Sequence, residues 1–343
     1  MSRLKQLSKF KLTLSVLTIG LLFLPFVTDS RSMLIMLTKI FIFAVFAMSY
    51  DLLLGYTGIV SFGHAMFFGI GAYTVAICLK AFGPSIPVLL LAVVITIIFT
   101  AIVSFLVGLL TLRLKAHFFA MLTLAVAALF LVAAEKWRSL TMGNDGFTFV
   151  IPEILRDRVT FYIVALVFMV IVFLFLERFT QSPMGRVLQA IRENEPRVES
   201  LGYRVMHYKI TANVIAGVVA GLAGILYAMS LRFVNTAVFA TELTLDALLI
   251  TIIGGVGTLF GAIVGAALIE YARHGLMDLA SVHWIFERWV ILLGTVFILV
   301  VMFFPKGIVG TTQSWWVKRQ MNKVNKLKPK PPAKNKNFTQ DVG

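Results

Sequence analysis

Residues 243–272 read LTLDALLITIIGGVGTLFGAIVGAALIEYA, an apolar run with one interruption at Gly254-Gly255-Val256-Gly257. A helix crossing a bilayer needs about 20 apolar residues, so this run is long for one upright crossing. Each glycine in a helix interior costs about 1 kcal/mol against alanine, and here three of them fall within four positions near the middle. The run is therefore one tilted crossing or two shorter helices joined at the glycines. That choice decides on which side of a membrane the chain ends.

Apolar runs of crossing length recur outward from it, near 11–28, 33–54, 60–80, 87–112, 117–134, 159–177, 208–230 and 285–304. Of the 343 residues, 59% are hydrophobic and 14% charged. Soluble domains hold roughly 45–50% and about 25%. The apolar excess has to face lipid, and the expected fold is all-α and polytopic. The start of the chain has the basic and apolar regions of a signal peptide. No small-x-small cleavage site follows Phe23-Leu24-Pro25-Phe26, however, so the stretch reads as an uncleaved first helix. The single cysteine, Cys78, excludes a disulfide framework and any multi-cysteine metal site, and it sits in an apolar run as packing.

Charge settles the count of passes. The net charge is +15, and basic residues mark cytoplasmic loops. With the arm carrying Arg3, Lys5, Lys9 and Lys11 inside, six passes bring the chain back at Arg178. There the basic loop 178–209 begins, with Arg178, Arg186, Arg192, Arg197, Arg204 and Lys209. The Arg113/Lys115 turn falls inside as well. The outer loop 135–158 balances four bases with four acids. Counting 243–272 as two passes puts Lys306 and the tail Lys318–Gly343 inside too; a single pass puts them on the wrong side. About ten passes with broken helices follow, with both termini cytoplasmic. The expected organisation is a basic arm (1–10), a transmembrane domain (11–312) containing a cytoplasmic loop (178–207), and a disordered basic tail (313–343). That tail holds eight Lys/Arg and one acid, broken by Pro329, Pro331 and Pro332. It reads as attraction to an anionic membrane surface, not to nucleic acid.

Two segments depart from plain lipid-facing helix. One contains Gly55, Tyr56, Gly58, Ser61, Gly63, His64, Gly69 and Gly71; the other contains Gly254, Gly255, Gly257, Thr258, Gly261 and Gly265. Broken backbone at membrane depth is tolerated only against protein or a water-lined cavity, and paired interruptions in two halves point to a transport pathway. Close helix packing is the alternative, as expected for Gly217, Gly221 and Gly224. Expected pathway residues are Gly55, Tyr56, Gly58, Ser61, Gly63, His64, Gly254, Gly255, Gly257 and Thr258. His64 reads as a cap or an interhelical hydrogen bond in preference to a ligand. Asp51 is placed to pair with a loop arginine, and Lys39 to snorkel toward the outer interface. Glu242 and Asp246 lie at the start of the broken segment, where they meet solute or favour a helix N-terminus. No proton relay, catalytic constellation, metal site or cofactor is expected.

In the longest cytoplasmic loop, Ser182-Pro183 has the arrangement of a helix cap followed by proline at the first position. Val187, Leu188 and Ile191 form a small apolar face among Arg186, Arg192 and Glu193. A second short helix from Arg197 to Leu201 stops at Gly202. Mixed charge favours docking on a soluble partner over lying on lipid.

Several motifs occur together here: Leu54-Gly55-Tyr56-Thr57-Gly58, Ser61-Phe62-Gly63-His64-Ala65, Gly69-Ile70-Gly71-Ala72-Tyr73 and Gly143-Asn144-Asp145-Gly146. Further on stand Ser182-Pro183-Met184-Gly185-Arg186, Ala190-Ile191-Arg192-Glu193-Asn194-Glu195, Ser200-Leu201-Gly202-Tyr203 and Gly254-Gly255-Val256-Gly257-Thr258. Over about residues 35–310 this order resembles the permease family of ATP-binding-cassette importers for branched-chain amino acids, of the M type. The resemblance implies a type II-like permease in a bacterial inner membrane. Its implied partners are a second homologous permease, two cytoplasmic ATPases and an extracellular solute-binding protein. It also implies an ATPase-coupling loop carrying Pro183, Gly185, Arg186, Ala190, Arg192, Glu193 and Gly202. The sequence agrees on one point: it contains no Gly-x-x-x-x-Gly-Lys-[Ser/Thr], so no P-loop binds ATP here. It departs at Thr141-Met142-Gly143-Asn144, where relatives more often have Thr-Gly-Gly.

The leading reading is import of leucine, isoleucine or valine. A urea or short-amide permease shares much of the pattern. An ion-coupled carrier would need a carboxylate relay, and a membrane enzyme more catalytic groups than five histidines and no paired intramembrane carboxylates supply.

Overall fold

The computed structural model describes residues 18–25, 30–112, 116–280, 289–304 and 307–311. Expectations for the basic arm, Arg113 and Lys115, residues 285–288, Lys306 and the tail lie outside the described residues. The chain is helical almost throughout. A short helix α1 (18–25) is followed by α2 (Arg31–Thr57), α3 (Ala65–Phe82), α4 (Ile86–Thr111) and α5 (Ala116–Lys136). After the short α6 (Arg138–Thr141) come α7 (Arg158–Gln181), α8 (Pro183–Glu193), α9 (Glu195–Ser200) and α10 (Val205–Leu231). The series closes with α11 (Thr241–Gly254), α12 (Leu259–Ala280) and α13 (Trp289–Phe303). Two two-residue strands, Phe147–Thr148 and Phe233–Val234, pair antiparallel where the loops after α6 and α10 meet.

Among the described residues, α2, α3, α4, α5, α7 and α10 are long and apolar enough to cross a membrane. The protein is an all-α, polytopic membrane protein. The pair α11–α12 passes the same test together but turns through 112° at the glycines. The interruption expected at Gly254–Gly257 is therefore present.

The centre of the bundle is α2, α3 and α10: 72% of the apolar stretch of α3 is buried, against 22% for α4. Small residues explain that depth. A Cβ on Gly71 would lie 2.6 Å from the carbonyl carbon of Gly221, and one on Gly224 would lie 2.8 Å from that of Phe68. Backbones this close exclude any side chain at those positions. On α4 the buried face carries Thr96, Thr100, Ser104 and Gly108, one every four residues, while Leu90, Ile98 and Phe105 point outward. That spacing puts the hydroxyls on one face. Thr100 there donates to the Thr96 carbonyl at 2.6 Å, and Asn213 of α10 donates to the Ser104 carbonyl at 2.7 Å.

The helix boundaries differ from the expected runs at one important place. Residues 58–64 are apolar enough to continue a helix, yet α3 begins only at Ala65. Gly58 ends α2 in the left-handed region at φ 73°, and its turn sends the chain off the helix axis.

Candidate functional site

Three interrupted stretches of backbone pack into the bundle, two of them on α2 and the third on α3. The first is the segment 58–64. His64 sits at the mouth of α3 with no capping bond of its own; its Nε2 instead shares a 2.8 Å hydrogen bond with Ser49 Oγ, across helices. Ser49 lies eight residues, about 12 Å, inside the end of α2. The Ala65 N–H donates to Thr244 Oγ1 of α11 at 2.9 Å. Phe62 N–H bonds Thr123 Oγ1 of α5, and a Cβ on Gly63 would lie 3.0 Å from the Thr123 carbonyl carbon. This non-helical backbone is thus walled by protein on three sides. Phe46, Tyr50 and Phe67 surround the His64 ring.

The second interruption is the turn between α11 and α12. Gly255 and Gly257 have φ 126° and 83°, and Thr258 closes the turn by donating to the Gly255 carbonyl at 2.6 Å. The helices then fold back along one another. Gly254 abuts Gly261, Gly265 abuts the Ile250 backbone, and Asp246 of α11 pairs with Arg273 of α12 at 3.0 Å. At 1.5 Å per residue the 14-residue α11 is about 21 Å long, shorter than the roughly 30 Å hydrocarbon core. By contrast α12 runs the length of α2: Gly257 meets Asp51 near one end, and His274 meets Ser32 at the other.

The third interruption lies after α10, where residues 232–240 press inward. Phe239 lies against Gly69 and stacks on Tyr73, and Thr236 shares a 2.6 Å bond with Asn144.

At the end of α2 that adjoins α8, the first two groups of expected pathway residues meet the expected coupling loop. Asp51 is fully buried, and its Oδ1 accepts the Gly257 N–H at 2.7 Å. A Cβ on Gly55 would lie 2.6 Å from Gly257 Cα. Arg192, in the last turn of α8, donates from Nη1 to the Gly55 carbonyl. Its side chain packs on Gly58 and beside Gly257, within electrostatic reach of Asp51. Gly55, Gly58, Gly257 and Arg192 therefore form one junction. Tyr56 lies alongside, near Thr180 and Leu259. Gly254 and Gly255 pack on Gly261 and Gly307, while Ser61, Gly63 and His64 belong to the first interruption.

The α8–α9 loop has the local structure the sequence encodes. Ser182 caps α8 by accepting the Gly185 N–H, and Pro183 holds the first position. Asn194 caps α9, which starts two residues earlier than expected, and Gly202 stands at φ 87°. The apolar face, however, is turned onto the chain's own helices: Gly185, Leu188 and Ile191 are buried. At Gly185 a Cβ would lie 2.5 Å from Thr180. What α8 leaves exposed is Pro183, Arg186, Gln189, Ala190, Glu193 and, although its head reaches Gly55, much of Arg192. Beside it Pro183, Met184, Arg186, Val187, Gly202, Tyr203, Arg204, His207 and Tyr208 line an open groove.

One cluster had no counterpart in the sequence reading. Arg273 bridges Asp246 and Glu270 at 3.0 and 3.1 Å, and Lys39 acts on Glu270 electrostatically. The available signal was the Glu270–Arg273 spacing of three inside an apolar helix, the spacing of an ion pair on one helix face. Met142, the point of departure from the resembling family, stands at φ 60°. Glycine adopts that region freely, so the difference there lies in a surface turn's backbone and in an exposed side chain.

A family described as "Branched-chain amino acid transport system / permease component" matches residues 32–303. The chain is 27% identical over 334 residues to the high-affinity branched-chain amino acid transport system permease protein LivM of Salmonella typhimurium, covering 89% of this chain and 76% of that protein. To the probable LivM of Methanocaldococcus jannaschii it is 25% identical over 316 residues, 78% of this chain and 90% of the relative. The autoinducer 2 import permease LsrC of Photorhabdus laumondii is similar over a shorter stretch, 33% identical across 109 residues, 30% of this chain and 33% of the relative. No solved structure matches. The match spans every helix from α2 to α13, and with it the junction and the loop, so this chain belongs to the permease-component family of branched-chain amino acid transport systems.

Proposed function

We propose that this chain is one permease subunit of an ATP-driven importer that carries leucine, isoleucine or valine across a bacterial inner membrane. In this reading it pairs with a second homologous permease. Two ATPases drive it from the cytoplasm, and an extracellular binding protein delivers the solute. The observation that carries it is the family match over residues 32–303 joined to interrupted backbone buried inside the bundle. Unwound segments and helix ends are where transporters place their solute pathways. The chain itself has no P-loop, so energy comes from another subunit.

The pathway residues proposed are Gly55, Tyr56, Gly58, Ser61, Gly63, His64, Gly254, Gly255, Gly257 and Thr258. The ATPase seats on residues 182–202, on the groove and the exposed Arg186, Ala190 and Glu193. The topology proposed has about ten passes with both termini cytoplasmic. In support, α11 and α12 turn through 112° and pack against each other, so the chain leaves on the side it entered, as a re-entrant or double-pass pair does. The transmembrane domain proposed runs from 11 to 312, between the basic arm and the basic tail.

The test is reconstitution with the partner subunits in proteoliposomes. Uptake of labelled leucine that requires ATP and binding protein supports the reading. Uptake of urea but not leucine under the same conditions refutes the substrate assignment.

A further inference from the structure

We infer that Arg192 is an inward-facing latch: its guanidinium, carried on α8, fastens the α11–α12 turn to the end of α2, and withdrawing it opens that end of the pathway. The inference rests on the proposed reading of α8 as the coupling element, but it assigns Arg192 a different job from touching the ATPase.

Three features put the side chain in that role. First, it enters a gap that only glycines leave. The aliphatic stem passes 3.2 Å from where a Cβ of Gly58 would stand, and Nη1 lies 3.0 Å from where a Cβ of Gly257 would stand. Second, the gap is electronegative and in need of a cation. Gly55 lies in the last turn of α2, whose carbonyls have no partner further along the helix. The carboxylate of Asp51 is fully buried, and its Oδ2 has no hydrogen-bond partner among the described residues. A buried carboxyl oxygen without a partner is costly, so the guanidinium in reach of Asp51 favours the assembled junction. Third, the same aspartate holds the turn itself through the Gly257 N–H. One residue of α8 therefore bears on both sides of the joint.

The position of Arg192 follows that of α8. Leu188 and Ile191 seat α8 on the bundle, and the Glu195–Lys209 ion pair at 2.6 Å ties α9 to α10. A tilt of α8 cannot leave Arg192 behind. Moving that helix by a few ångströms takes the guanidinium off the Gly55 carbonyl, because hydrogen bonds weaken steeply with distance and misalignment. The Gly55–Gly58 and Gly257 backbones then lose their brace from α8, and the Asp51–Gly257 hydrogen bond remains as the joint's other tie. This converts motion of a surface helix into opening of a backbone joint, with no wire of intermediate side chains.

The test uses the full chain with Cys78 replaced by alanine and a reporter introduced as Val256→Cys, in the turn and half-buried, labelled by a membrane-impermeant maleimide in detergent. Loss of one charge-assisted hydrogen bond corresponds to about a ten-fold shift in the open population or more. Arg192→Ala is expected to raise the labelling rate by about that factor, and Arg192→Lys, which keeps the charge but loses the fork, by less. Adding Asp51→Asn to Arg192→Ala should raise it little further, since both act on one joint. If Arg192→Ala does not yield monodisperse protein, Arg192→Lys and Arg192→Gln carry the comparison. Labelling at the wild-type rate in these variants overturns the latch. So does a rise no larger than that of Leu188→Ala matched for melting temperature, which would mark Arg192 as merely structural.

In the reconstituted importer, Arg192→Ala should hydrolyse ATP with at least a several-fold loss of transport per ATP. If labelling rises but the wild-type assembly never couples ATP to uptake, the proposed function fails and the latch stands.

Discussion

Replacing Gly55 with alanine tests the junction where it is tightest. The new methyl carbon would lie 2.6 Å from Gly257 Cα, whereas ordinary contact begins at 3.4 Å. The methyl also meets Asp51 Oδ1 and Gly257 N; the carboxylate can rotate away, but the Gly257 backbone cannot, so α2 and the turn must separate by about 1 Å. That stretches the 2.7 Å Asp51–Gly257 bond beyond hydrogen-bonding range. A hydrogen bond to a charged group contributes about 1.5–3 kcal/mol. Alanine returns up to about 1 kcal/mol through its better helix propensity. The net loss is about 2 kcal/mol, or several degrees of melting temperature for a chain of this size. Thermal unfolding of purified protein in detergent measures it, with Gly275→Ala as control. A Cβ there meets nothing within 4 Å, so the control should be neutral or slightly stabilising. If Gly55→Ala melts with the control or above it, α2 and the turn are not in contact and the junction is wrong.

Other substitutions separate structure from coupling. Gly71→Val drives a side chain into the Gly221 backbone and should abolish recovery of folded protein from membranes, read by size-exclusion chromatography. Arg186→Glu alters an exposed side chain and should leave the melting temperature within about 1 °C while lowering ATP-driven uptake at least several-fold. Gly185→Glu should fail at the folding stage, because its Cβ meets Thr180. Met142→Gly relieves a left-handed backbone and is expected to raise stability by a fraction of a kcal/mol, or about 1 kcal/mol at most, with uptake unchanged. Asp157, which caps α7, accepts from both Thr160 N and Oγ1, and these bonds hold its carboxyl below its ordinary value of 3.8. Its contribution is present above that value and lost as pH falls through the lowered one, so Asp157→Asn should flatten the acid side of the melting profile.

The crossings were legible because lipid demands long apolar runs, and α8 was legible because Ser182-Pro183 is a local capping signal. The three-residue glycine break was legible for the same local reason. The break around Gly55–Gly63 was legible from its glycines, but its extent was not: Ile59, Val60 and Phe62 are apolar whether extended or helical, so hydropathy starts the span near 60, whereas the helix begins at Ala65. Nor could spacing reveal that Arg192 reaches Gly55, since the two lie 137 residues apart in sequence. The apolar face of α8 was correctly identified, but amphipathicity does not say which surface covers it, and here Leu188 and Ile191 pack inward. The Asp246–Arg273 pair was missed because Asp246 was read as facing solute or a helix end, when the fold-back of α12 supplies its cation.

The most direct measurement of the central claim is uptake of labelled leucine by proteoliposomes that hold this chain with its permease partner, ATPases and binding protein. The account predicts accumulation that needs ATP and binding protein, is competed by isoleucine and valine, and is insensitive to a proton ionophore. Leucine uptake without ATP that collapses with the ionophore would contradict it.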